Sequence, residues 1–151
     1  MVDINMGCPV RKVTKTGAGS MLLGGGAELG ARVVAAVAEA VDVPVTVKMR
    51  RGERNDSRDF LIAGPRFVEA GAQALTLHPR SAKQMYTGHA DHTLTAELVA
   101  QGWTLVCSQV APEEDYGSFS YVRSPSGFLL EPVAEANQPR MERWFAGGSL
   151  S

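Results

Sequence analysis

The sequence has few cysteines and few aromatic rings. Cys8 and Cys107 are its two cysteines, 99 positions apart in a chain of 151. That excludes a disulfide framework and a cysteine-rich zinc site, and it leaves Cys8 as a reduced thiol. No apolar run approaches the ~20 residues a membrane helix needs. The opening Met1-Val2-Asp3-Ile4-Asn5 lacks the basic and then apolar stretch of a secretory leader, so a cytoplasmic protein with no membrane partner is expected. Neither sign of charge dominates: the net charge of −1 argues against a strongly basic nucleic-acid binder taken as a whole. Low-complexity tracts and sequence repeats are absent. What remains is 44% hydrophobic and 21% charged, the composition of a globular domain of ordinary length.

The balance in charge hides an uneven distribution. Residues 1–100 carry 12 Lys/Arg against 10 Asp/Glu, and residues 101–151 carry 3 against 6, so the sign changes along the chain. The aromatics shift as well. Phe60, Phe67 and Tyr86 are alone in the first hundred residues, whereas Trp103, Tyr116, Phe119, Tyr121, Phe128, Trp144 and Phe145 crowd the rest. Two parts are expected, 1–100 and 101–151, with a boundary between about 88 and 102.

The first part alternates short apolar runs with helical stretches, the pattern of strand-helix units and a parallel sheet. Residues 2–5 read as a strand, and a turn at Gly17 and Gly19 follows. Residues 27–40 read as a helix in which Leu29, Val33, Val34 and Val37 recur at helical spacing. The β-branched run 43–48 reads as a second strand stopping near Arg50, with Pro44 at its start, where a missing N–H matters least. A polar loop, 51–59, leads into a helix over 60–70, interrupted by Pro65 and capped by Gly71; residues 74–78 form a third strand. The second part reads as a helix over 93–100, strands over 103–110, 118–123 and 128–133, and a short helix over 139–145. Its tight turns favour antiparallel pairing.

Strand side chains alternate faces, so Lys48 and Arg50 share one side while Val47 and Met49 share the other, and His78 goes with Arg80. The first strand runs directly into Asn5-Met6-Gly7-Cys8-Pro9. Three successive strands therefore end in ionisable or nucleophilic side chains at their C-terminal ends, where parallel α/β folds build active sites. Each residue alone has a structural explanation: a buried thiol, solvated cations, a core or rim histidine. Their coincidence at three strand ends points to chemistry.

Four segments resemble the tRNA-dihydrouridine synthases in order and spacing. They are Asp3-Ile4-Asn5-Met6-Gly7-Cys8-Pro9; Lys12-Val13-Thr14-Lys15-Thr16-Gly17-Ala18-Gly19-Ser20; Pro44-Val45-Thr46-Val47-Lys48-Met49-Arg50; and Leu77-His78-Pro79-Arg80-Ser81. The resemblance covers residues 2 to about 100 and implies part of a TIM (β/α) barrel carrying FMN, which NADPH reduces and which passes a hydride to a uracil ring in tRNA. By that resemblance Cys8 is the proton donor, Lys48 and His78 contact the flavin, and Asn5, Arg50 and Arg80 line the uracil pocket and flavin edge. The chemistry agrees. Hydride addition to one carbon of a C=C leaves a carbanion-like neighbour that needs a positioned acid, and an ordinary thiol is protonated at neutral pH. A lysine near the flavin's pyrimidine edge stabilises the reduced ring. A base drawn from its stack needs a phosphate-binding rim, for which Arg11, Lys12, Lys15, Arg51, Arg54 and Lys83 are candidates.

The family's chain is about twice this length, so the sequence is expected to begin mid-barrel, without the earlier strands or the Gly-rich strand ends that hold the FMN phosphate. Residues 101–151 instead resemble the C-terminal half of a glyoxalase/bleomycin-resistance (vicinal oxygen chelate) domain, carried by Gly117-Ser118-Phe119-Ser120-Tyr121-Val122-Arg123 and Ser124-Pro125-Ser126-Gly127-Phe128-Leu129-Leu130-Glu131. Metal-binding members place a ligand at the position of Glu131. One carboxylate is not a metal site, and no metal is expected. The expectation is a join of two partial folds near residues 97–102, with open strand edges covered by the C-terminal strands or by a second copy of the chain. Alternatives are a small-molecule or metal-binding module governed by the C-terminal part, and a structural fragment without activity.

Overall fold

The computed structural model describes residues 1–91, 93–109 and 119–123. Strands β1 (Val2–Met6), β2 (Val45–Arg50) and β3 (Ala74–His78) run parallel, joined by helices α1 (Arg11–Thr14), α2 (Glu28–Ala40) and α3 (Phe60–Glu69). After α4 (Thr93–Ala100) come β4 (Thr104–Gln109) and β5 (Phe119–Arg123). The sheet order is β1-β2-β3-β5-β4, with β5 antiparallel to both its neighbours. Three parallel strands with crossover helices are the α/β arrangement of a partial TIM barrel. The strand over 128–133, the helix over 139–145 and Glu131 lie outside the described residues.

Strand alternation separates the parallel sheet into two chemically distinct faces. Met6, Val47, Met49, Leu75 and Leu77 enter the core with Val34 of α2, Phe60 and Phe67 of α3, Leu94 and Leu98 of α4, and Trp103. Burying each large side chain contributes roughly 1.5–3 kcal/mol, which makes this face the main source of cohesion. The opposite face carries Asp3, Asn5, Thr46, Lys48, Arg50, Thr76 and His78. Register places Asp3 opposite Thr46, Asn5 opposite Lys48, Lys48 opposite Thr76, and Arg50 opposite His78. The Thr46 hydroxyl donates to Asp3 Oδ1 at 2.6 Å, satisfying a buried polar group within that face.

Two helices depart from the sequence pattern in instructive ways. Helix α2 starts at Glu28, one residue later than expected, because Gly25, Gly26 and Ala27 all take left-handed φ values (58°, 74° and 62°). Val34 is fully buried, but Leu29 is 51% exposed, so the first turn faces away from the core. Helix α3 persists through Pro65, because Phe60, Ala63, Gly64 and Phe67 anchor it on both sides of the lost backbone bond. Its end is a Schellman motif: the N–H of Gly71 (φ 108°) donates to the Val68 carbonyl, and that of Ala72 to the Phe67 carbonyl.

Candidate active site at the strand ends

The end of β1 turns sharply into Cys8. The Gly7 N–H donates to Asn5 Oδ1 at 3.0 Å, so the strand's last polar side chain caps its own turn. The Cys8 carbonyl accepts from the Ser20 N–H at 3.0 Å. Gly19, at φ 61°, lies so close that a Cβ there would run into the Cys8 carbonyl and stand 3.2 Å from Cys8 Cβ. A glycine is therefore required on both conformational and steric grounds. Cys8 is half-buried with a free thiol.

Lys48 sits one strand over, in register with Asn5. A Cβ placed on Gly7 would be 3.6 Å from Lys48 Nζ and 3.7 Å from Asn5 Oδ1, which brings ammonium, amide and thiol turn together around one glycine. Burial, and then the neighbouring Arg50, push the Lys48 ammonium below its usual pKa; Asp3 and Cys8 act in the opposite direction. Among the described residues it makes no ion pair or hydrogen bond. A partly buried cation in that condition fits an anionic ligand edge, such as the pyrimidine side of a reduced flavin.

Arg50, 3% exposed, closes the other side. Its Nε donates to the Gly7 carbonyl at 2.8 Å, and its Nη1 to the carbonyls of Ser81 and Met85, both at 2.8 Å. The guanidinium carbon lies 5.7 Å from the centre of the Tyr86 ring, which is 56% exposed. Burial holds the Arg50 pKa below its usual value. His78 is in register with Arg50 on the same face. Arg80, also buried, donates from Nη2 to the Gly88 carbonyl at 2.6 Å. Ser81 secures the loop, its hydroxyl donating to Asn55 Oδ1 and accepting from the Gln84 N–H.

The structure thus gathers Asn5, Cys8, Lys48 and Arg50 around Gly7, with His78 one register step along. Arg80 is bonded into the 79–91 loop. The rim cations divide. Arg11, Lys12, Lys15 and Lys83 are exposed. Arg51 departs from the rim role: it is 6% exposed, donates to the Ser57 carbonyl and faces Asp91 at 3.7 Å. Arg54 is exposed but paired with Asp56 at 2.7 Å. Tyr86 was missed, although it is the one aromatic residue between Phe67 and Trp103 and follows the cationic strand end by a few residues. A second hollow, about 260 Å³, lies between Gly24, Gly25 and Gly26 and the side chains of Glu53, Ser57, Asp59 and Ile62. Its two carboxylates oppose a phosphate despite the glycine-rich turn. Among the described residues no three His, Cys, Asp or Glu side chains gather as a metal would require, and no helix is long and apolar enough to cross a membrane.

The family model for dihydrouridine synthase (Dus) matches residues 1–105. The chain is 47% identical over 109 residues to a probable tRNA-dihydrouridine synthase of Treponema pallidum (strain Nichols), covering 68% of this chain and 32% of that protein. It is 44% identical over 98 residues to tRNA-dihydrouridine synthase B of Pseudomonas aeruginosa (65% and 29%) and 46% identical over 109 residues to the probable tRNA-dihydrouridine synthase 1 of Synechocystis sp. (67% and 30%). The chain spans about a third of the length of these curated relatives. With the family model matching residues 1–105, more than half of its length, this chain belongs to the dihydrouridine synthase family.

Proposed function

We propose that this chain carries the flavin- and base-facing part of an FMN-dependent oxidoreductase that reduces uridine to dihydrouridine in tRNA, with NADPH as the electron source. The observation that carries the reading is the polar row across β1 and β2, in which Asn5 and Lys48 meet around Gly7 beside the Cys8 turn. A tRNA substrate supports a cytoplasmic location. The family match ends at residue 105, a few residues past the expected join at 97–102, which supports reading the stretch beyond it as a separate addition, and a second copy of the chain is the proposed cover for the edge of β1.

FMN, when bound, would supply a hydride to one carbon of the uracil C=C. Lys48 and His78 would hold the flavin, the lysine by offering its ammonium to the negative charge of the reduced ring. Cys8 holds a proton at Sγ and delivers it to the neighbouring carbon; hydride and proton together saturate the double bond, and the thiolate regains a proton from solvent. Asn5 and Arg80 orient the base. Arg50 contributes its Nη2 group, which has no hydrogen-bond partner among the described residues. The exposed Tyr86 ring beside it offers a flat apolar surface for a base drawn from its stack. Arg11, Lys12 and Lys15, exposed on the turn that follows Cys8, supply phosphate contacts.

The test is purification followed by an absorbance scan at about 450 nm, the flavin band, then assay of dihydrouridine in tRNA with NADPH. A yellow protein that forms dihydrouridine supports the proposal; a protein that stays colourless after incubation with FMN overturns it. Within a flavin-loaded protein, Cys8→Ala should abolish turnover and leave the colour, whereas Lys48→Ala should weaken flavin retention.

A further inference from the structure

We infer that Arg50 is a positioning residue that locks the Cys8 turn and the 79–91 loop into one unit, so that the thiol is held in place only while that loop is closed. Three of its five N–H donors go to main-chain carbonyls in two segments far apart in sequence: Gly7, directly before the thiol, and Ser81 and Met85. None goes to a carboxylate.

The loop end of this fastening is strained. Met85 sits at φ 54°, a conformation that a β-substituted residue adopts only when its surroundings impose it. Arg50 takes the carbonyl of that same residue, and Tyr86 sets its ring beside the guanidinium. The loop makes its own contacts with residues beyond β2, the N–H groups of Ala82 and Lys83 donating to the carbonyls of Gly52 and Glu53. Among the described residues Gly7 has no hydrogen-bonded tie to the loop except through Arg50. A side chain on β2, buried and planar, is therefore the joint between the turn from β1 and the loop after β3. Releasing it uncouples the two, each then keeping only its own anchors.

An ammonium cannot replace this fork. Lysine keeps the charge but offers no planar pair of N–H groups to reach carbonyls on two sides. Charge and geometry can thus be separated. The significance for the reaction rests on the reading of Cys8 as proton donor, but the clamp is read through thiol and amide chemistry and needs no turnover, so an inactive protein leaves it standing.

The experiment uses the full chain. Iodoacetamide labelling of Cys8, followed by peptide mass mapping, should be about tenfold faster in Arg50→Lys than in the unmodified protein, an opening of that size being what loss of buried, charge-assisted bonds produces. An unchanged rate would show that charge alone governs the thiol and would overturn the proposal. Native-state hydrogen exchange of the unmodified chain in low denaturant gives a second measurement, independent of whether the variant folds. The Gly7 and Ser20 amides should open with the same free energy and denaturant slope as those of Met85 and Thr87. Two distinct openings would overturn the inference.

Discussion

An ammonium taken out of water loses hydration that only a counter-charge restores, and Lys48 sits beside Arg50 without a carboxylate at ion-pair distance among the described residues. Because its folded-state pKa lies below the ordinary lysine value of 10.5, the unfolded chain binds more protons in the interval between the two values. Stability should therefore rise with pH across that interval, and the penalty is full below it. Lys48→Met should melt higher than the unmodified protein at neutral pH by about 2–4 °C, the shift expected for ~1 kcal/mol at this chain length. The difference should shrink as pH approaches 10.5, and calorimetry at several pH values checks it. A lysine retained at such a cost fits a ligand-binding role. The side-chain identities at this scale were readable from the sequence: Cys8, Lys48 and His78 stand at strand ends. Arg50's backbone bonds were not, because the carbonyls it reaches belong to segments 31 to 43 positions away.

At the scale of the element, Gly71 shows how a helix end is specified. Its φ of 108° excludes a side chain on conformational grounds, and a Cβ there would come within 2.8 Å of Ala38 Cβ on α2. Gly71→Ala should cost about 2 kcal/mol and lower the melting temperature by roughly 4–8 °C, measurable by thermal denaturation. The cap was visible in the sequence because glycine follows a periodic run. The strands were visible too, from β-branched residues ending in ionisable ones. The four-residue α1 and the short 3-10 turns over Gly19–Leu23 and Gly25–Ala27 were not, since so few residues establish no period. Leu29 misled for a related reason: its spacing matches the apolar stripe, but the three-glycine bend before α2 turns that first position outward.

For the whole molecule, the two-faced sheet is the feature that both holds the fold and makes the site. One face is an apolar core against helices; the other is polar and carries every predicted strand residue of the site. Among the described residues β1 is paired on one side only, leaving a row of backbone groups to recruit another strand. Self-association should accordingly increase with concentration in light scattering, and Val2→Lys, which puts a charge on that edge, should suppress it. The alternation of strands and helices made the parallel sheet legible. The placement of β5 was not, because which strand lies beside which is decided by long-range pairing that no local pattern encodes.

That placement constrains where another parallel strand could join the sheet. With β2 on one flank and the antiparallel β5 on the other, β3 has no vacancy for a parallel newcomer. Among the described residues a further strand would meet β1 at one edge of the sheet or β4 at the other, and pairing directly with β3 would first require evicting β5.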